Sequence, residues 1–216
     1  MSLDQVVTAL IIVAIFLLVA FPVHEFSHAW VAFKLGDSTA RWQGRLSLNP
    51  IVHFDPIGGT ILAVSLILAG FGIGWAKPTP VNPYNLRYGR RGETLVAVAG
   101  PISNLVMAAV VAIPLRLIHM NPGLWASVQV PGPAHFVYYV AVNFVAIDIL
   151  LLIFNLLPIP PLDGWRGLLG LVSARTAYSL RPFEQYGFVV IIMLILFAPR
   201  FIGDLVGSIT SLLLGF

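Results

Sequence analysis

Cysteine is absent from the 216 residues. That excludes disulfides and any thiolate metal site, and leaves histidine and carboxylates as the strong metal donors. Charge is scarce as well: Asp, Glu, Lys and Arg make up 10% of the chain, against about 25% in a soluble domain. With 58% hydrophobic residues and a mean hydropathy of +0.92, there is too little polar surface to cover a water-soluble fold. The net charge is only +3, and the basic residues sit in short segments rather than one broad patch, which argues against nucleic-acid binding. Repeats, low-complexity tracts and long linkers are also missing. Residues 1–216 therefore read as a single intramembrane domain.

What the chain has in abundance is uninterrupted apolar sequence. Residues 6–21, 94–115, 136–147 and 185–198 carry no charge, and a helix needs about 20 apolar residues to cross a bilayer. The expected fold is an α-helical polytopic membrane protein with about five to six membrane segments. The first run has no basic leader and no small-residue cleavage site, so it reads as a retained helix rather than a signal peptide. Helices are expected near 5–35, 93–118, 136–157 and 183–198, the third stopped by Pro158-Ile159-Pro160-Pro161 because proline cannot continue a helix. Residues 119–135 read as a Pro/Gly loop. Residues 201–216 form either a short sixth span or an interfacial helix.

Between the first and second full spans the pattern changes. Arg41 to Leu48 alternates like a short strand, and residues 57–75 are apolar but carry Gly58, Gly59, Gly70, Gly72 and Gly74. A re-entrant 57–75 puts segments 34–56, 76–92 and 165–182, rich in Lys and Arg, on one face, while the opposite loop 119–133 has neither. That satisfies the positive-inside rule, whereas a full span would split the basic residues between both faces. The re-entrant reading places this face in the cytoplasm, as part of a prokaryotic plasma-membrane protein.

The chemistry is concentrated in His24-Glu25-Phe26-Ser27-His28. Residues i and i+4 share a helix face, so the two imidazoles can hold one Zn²⁺, with the intervening Glu placed to act on water beside the metal. Ionisable groups this dense in a membrane helix are costly unless they pair or bind something. A catalytic zinc usually takes a third protein ligand, and Asp55, Glu93, Asp148 and Asp163 are candidates. Asp163 follows the break in the 136–157 helix, where freed backbone and side chains line a cavity.

The pair His24–His28 and Asn155-Leu-Leu-Pro-Ile-Pro-Pro-Leu-Asp163-Gly164 resembles the site-2 protease family of intramembrane zinc metalloproteases. Ala99-Gly100-Pro101-Ile102-Ser103-Asn104, Asn49-Pro50 through His53-Phe54-Asp55-Pro56, and Gly74 through Pro83 resemble further elements of its compact branch, which lacks appended domains. The resemblance implies one Zn²⁺ per chain on His24, His28 and Asp163, with Glu25 as general base. It also implies hydrolysis of peptide bonds within or near the transmembrane segments of single-span substrates. Topology agrees: with 57–75 re-entrant, two crossings separate the motif helix from Asp163, so both reach the same side. Strand-like residues near 41–48 or 59–64 would offer an edge to an unwound substrate.

Other residues have two readings each. Asn155 and Asn104 are candidates to hold substrate backbone or an oxyanion; otherwise Asn155 caps a broken helix and Asn104 serves helix packing. Asp148, where relatives often have Asn, either orients a metal ligand or is a protonated, hydrogen-bonded core residue, the reading favoured here. His53 and Asp55 stand behind the site or gate it. His119 and His135 read as solvated, and Trp75, Tyr84 and Trp165 as interface anchors. The rival functions are an ion or metal transporter, which should show paired repeats, and a catalytically silent membrane scaffold. Substrate identity and oligomeric state are not encoded in any recognisable segment.

Overall fold

The computed structural model describes residues 3–69 and 77–216, and no strand occurs among them. Helix α1 (Leu3–Ile15) runs through a π-helical stretch, Phe16–Ala20, into α2 (Phe21–Lys34). In that stretch the Phe21 N–H donates to the Phe16 carbonyl. Short helices α3 (Thr39–Trp42) and α4 (Pro50–His53) lead to α5 (Pro56–Ala69). Then come α6 (Arg90–Met120), α7 (Pro122–Gln129), α8 (Pro133–Leu156), α9 (Asp163–Leu171) and α10 (Ala174–Leu180). A 3-10 turn, Arg181–Tyr186, joins α10 to α11 (Gly187–Phe197), and α12 (Pro199–Leu214) follows.

The helix starts obey local rules. Proline occupies the first positions of α4, α7, α8 and α12, where its missing N–H is not needed and its fixed φ suits the helix. Asn49 and Asn121 accept from the first free amides of α4 and α7. Among the described residues, four stretches are long and apolar enough to cross a bilayer: Leu10–Lys34, Arg90–Met120, Pro133–Leu156 and Ala174–Phe197. Large apolar side chains on them face outward, Val110, Ile113 and Phe188 included, over more surface than a water-soluble monomer exposes. The chain is a helical membrane protein.

Helix α6 is the central post. It packs on α2, α8, α9 and α12, and small residues permit the close approaches. Ala108 and Ala112 of α6 meet Val145 and Ile149 of α8 and Leu214 of α12 in the main core. On the other side Ala32 of α2 sits with Val96 and Leu86. Without a hydrophobic drive between helices in lipid, such packing and interhelical hydrogen bonds carry the association.

Several expectations need correction. Arg41–Leu48 is not a strand: α3 covers its start and turns follow. Residues 59–64 lie inside α5, so neither segment offers a strand edge. Both stretches are short and flanked by Pro, Gly or Asn, where alternation in sequence does not decide between strand and turn. The expected loop 119–135 contains α7, and the basic segment 165–182 holds most of α9 and all of α10. His119 is not solvated: its ring bonds to the Tyr138 hydroxyl at 2.6 Å and to the Leu214 carbonyl at 3.1 Å, and it packs on Trp125 and Phe216. His135 is exposed as expected, though its Nδ1 donates to Val128 O. Trp165 is buried, and its indole N–H donates to Glu184. Gly70, Gly72, Gly74 and Trp75 lie outside the described residues.

Beyond α2, the buried carboxylate of Asp37 collects the Thr39 amide and hydroxyl, the Asn82 amide and the Asn85 side chain. This knot ties the end of α2 to the segment before α6. Burial pushes the Asp37 carboxyl up, but its hydrogen-bond donors outweigh that and hold it below its ordinary value. A carboxyl depressed in the folded state contributes stability above its unfolded pKa, about 3.9, and loses it as pH falls through the folded value. Asp37→Ala is expected to cost about 2–3 kcal/mol by stranding buried donors, read as a lower midpoint of thermal unfolding in detergent. The wild-type midpoint should fall more steeply below about pH 4 than that of Asp37→Asn.

Candidate metal centre

Three donor atoms from distant parts of the chain converge. His24 Nε2 and His28 Nε2 are 3.1 Å apart, and Asp163 Oδ2 lies 3.1 Å from each. The histidines stand one turn apart on α2, and Asp163 is the first residue of α9. Gly164 makes that placement possible, because a Cβ there would collide with the carbonyls of Leu156 and Leu157 at the end of α8. The reversal from α8 into α9 can therefore fold tightly enough to bring Asp163 back to α2.

The far side of each imidazole is committed. His28 Nδ1 donates to the Val96 carbonyl at 2.7 Å, and His24 Nδ1 to Asn104 Oδ1 at 2.6 Å. Both partners are acceptors, so each Nδ1 carries a proton and each Nε2 is the nitrogen left to face Asp163. Two lone pairs and a carboxylate oxygen crowded together repel unless a cation joins them. Their spacing is close to the roughly 3.3 Å expected between donors at about 2.0–2.1 Å around a tetrahedral zinc. The donor set fits zinc in chemistry and in spacing.

Gly100 of α6 forms the floor. A Cβ on it would lie 2.6 Å from His24 Nε2 and closer still to His28 Nε2. Its role is steric, and nothing in the spacing of Ala99–Asn104 signals it.

Glu25 is buried beside the cluster. Its Oε2 accepts from the Thr79 N–H at 2.9 Å and lies 2.7 Å from the Thr79 hydroxyl. Thr79 stands between Pro78 and Pro80, neither of which has an N–H, so this three-residue stretch has one amide and it is aimed at Glu25. The alternation of Pro with one donor-bearing residue is the mark that Thr79 leaves in the sequence.

The remaining candidates fall in different places. Asn104 is fully enclosed, with its amide committed to His24 and to Asp148 at 2.7 Å. It therefore does not face a substrate, as one reading had it. Asp148 is buried beneath it. Asn155 lines the cavity at the site while donating to Leu151 O, one turn back. Asp55 lines the same cavity and caps α5 through the Ile57 and Gly58 amides. His53 is fully buried, donating to Ser47 O at 2.8 Å with its ring edge-on to Phe21, and serves the packing of the 47–53 segment rather than the cavity. Glu93, a candidate third ligand, lines the cavity wall near Arg166, outside the cluster.

The cavity holds about 1650 Å³ and is mostly apolar. Phe16, Leu62, Leu150 and Ile202 contribute to its walls, and His24, Glu25 and Asp163 form its polar end.

A helical membrane protein with a buried two-histidine, one-carboxylate cluster at the end of an apolar cavity has the makings of a membrane-embedded metalloenzyme. Comparison with known proteins narrows this. Over 179 residues, 82% of the chain, it is 42% identical to YwhC of Bacillus subtilis, matching 77% of that protein. It is 31% identical over 180 residues to Rip2 of Mycolicibacterium smegmatis, covering 64% of it. It is 32% identical over 194 residues to Rip2 of Mycobacterium tuberculosis, covering 69%. Each of these relatives bears the name "putative zinc metalloprotease". No family model matches the chain, and no solved structure matches it at significance. The chain belongs to the site-2 protease family of zinc metalloproteases.

The floor of the site yields a direct test. Gly100→Ala should favour the α6 helix by about 1 kcal/mol on propensity alone, yet push both imidazoles aside. The expected outcome is a folded, monodisperse protein with zinc content reduced at least tenfold by elemental analysis. Full zinc content in Gly100→Ala would contradict the geometry described.

Proposed function

We propose that this chain is an intramembrane zinc endopeptidase that cleaves single-span membrane proteins within or near their transmembrane segments, as in regulated intramembrane proteolysis. The observation that carries the reading is the convergence of His24 Nε2, His28 Nε2 and Asp163 Oδ2 at 3.1 Å from one another, with both Nδ1 protons directed away. These three residues would hold one zinc per chain. When bound, zinc supplies Lewis acidity to the scissile carbonyl and makes water a competent nucleophile near neutral pH.

The chain's own residues do the rest. Glu25 takes a proton from the attacking water and passes it to the departing amine nitrogen. Thr79 holds the Glu25 carboxylate in place for both transfers. Asn155, on the cavity wall, is placed to hold substrate backbone. The apolar cavity suits an apolar segment, and the polar end meets the peptide bond. A helical substrate must unwind first, because its carbonyls are hydrogen-bonded. Extended backbone would then lie along the cavity rather than against a strand.

The surrounding topology belongs to the same proposal. Five to six membrane segments enclose the site, with α5 dipping into the membrane rather than crossing it and α12 as the short sixth. The basic segments, and with them the site's opening, face the cytoplasm of a prokaryotic cell, and residues 1–216 act as one unit.

Zinc per purified chain and hydrolysis of a transmembrane peptide in bilayers test this together. Wild type and Glu25→Gln should each hold about one zinc, and His28→Ala and Asp163→Ala should lose most of it. Hydrolysis should fall by about 10²–10⁴-fold in Glu25→Gln. Thr79→Val, which keeps the amide but removes the hydroxyl, should keep its zinc and lose about tenfold in kcat, the size of one hydrogen bond to a charged group. A folded wild type that holds no zinc overturns the proposal.

A further inference from the structure

Beneath His24 runs a chain of side chains that the cleavage reaction does not use. Asp148 Oδ1 of α8 accepts from Asn104 Nδ2 of α6 at 2.7 Å, and Asn104 Oδ1 accepts from His24 Nδ1 of α2 at 2.6 Å. Asn104 and Asp148 have no exposed surface, and His24 is buried. The second carboxylate oxygen of Asp148 has no hydrogen-bond partner among the described residues. A polar pair this deep among apolar helices is costly unless its hydrogen bonds are made, and here they run toward His24.

A side-chain amide has two faces, one donating and one accepting. Which face meets His24 is decided at its other end. An acceptor at position 148 requires the NH₂ of Asn104 to point toward α8. The Asn104 carbonyl then points toward His24, and His24 must carry its proton on Nδ1. Only in that tautomer does Nε2 have a lone pair for a metal. With the amide reversed, its NH₂ would face Nδ1, the proton would move to Nε2, and the ligand would be lost. His28 needs no such relay, because a backbone carbonyl, that of Val96, sets its tautomer.

We propose that Asp148 is a positioning residue for the metal centre, acting through Asn104 to lock the His24 imidazole in the metal-binding tautomer and orientation. This rests on the reading of His24 as a zinc ligand. It reverses the sequence-based preference for Asp148 as a bystander of the core. What position 148 must supply is an acceptor rather than a charge. Asparagine, with a carbonyl oxygen in the same place, should serve. Leucine, of similar size, and alanine should not.

Two measurements decide the matter. The first is ¹⁵N NMR of histidine-labelled, metal-free wild type, with His24 assigned by substitution. His24 is expected in the Nδ1–H form, and finding it as Nε2–H overturns the proposal without any variant. The second is zinc affinity by chelator competition, with the d–d spectrum of the cobalt-loaded protein alongside. Asp148→Asn should bind like wild type. Asp148→Leu and Asp148→Ala should bind roughly 10–100-fold more weakly, as for the loss of a hydrogen-bond partner behind a ligand, with an altered cobalt spectrum and a His24 shifted toward Nε2–H. In an Asn104→Leu background, changing Asp148 should have no further effect on affinity, which a merely structural role would not give. If wild type binds zinc tightly but Asp148→Leu and Asp148→Ala match it, the proposal fails and the metalloprotease reading stands. If wild type binds no zinc, the metalloprotease reading itself fails.

Discussion

The arrangement depends on the expense of leaving a polar atom unpaired in an apolar interior. His24, Glu25, His28, Asn104 and Asp148 are all buried, and each is held by a partner on another element. The partners are the Val96 carbonyl, the Thr79 amide and hydroxyl, and the side chains of Asn104, Asp148 and Asp163. Those bonds are the reason α2, α6, α8 and α9 take one relative position rather than sliding along apolar faces. In lipid, where apolar contact discriminates poorly between packings, a polar network is what specifies register. The site and the fold are therefore stabilised by the same interactions.

Small residues complete that logic. Polar groups can meet across helices only if the backbones come close, and Ala108, Ala112 and Gly100 on α6 allow it. α6 carries the floor of the site, the middle member of the relay and the carbonyl that orients His28. A helix with two internal prolines, Pro101 and Pro114, thus organises most of the chemistry without contributing a metal-facing donor.

The membrane class, the long helices and the pairing of His24 with His28 on one helix face were legible in the sequence because they leave strong local marks, while Asp163, which the structure brings to them, was one of four candidates and was singled out by the resemblance. Uncharged runs define spans, i and i+4 histidines define a face, and a proline cluster defines a break. Asn104 and Asp148 were picked out, but not as partners. Their pairing is a contact between residues 44 positions apart, and no periodicity reports such a contact. Thr79 and Gly100 have no periodicity to report them, since one acts through its own amide and hydroxyl and the other through the space it leaves empty. The short segments around 41–48 and 59–64 were misread because alternation over a few residues fits a turn or an apolar helix as well as a strand.

The π-helical stretch at Phe16–Ala20 has a further consequence. It holds one residue more than an α-helical turn would and absorbs it, so that α1 and α2 continue as one rod. Each residue of an α-helix turns the chain by about 100°. Removing one residue there would let the rod relax to a regular helix that keeps His24 and His28 in phase, whereas adding one that the helix could not absorb would turn both by about 100° from Gly100. The stretch therefore gives the helix a place to take up a change in length ahead of the motif without moving it.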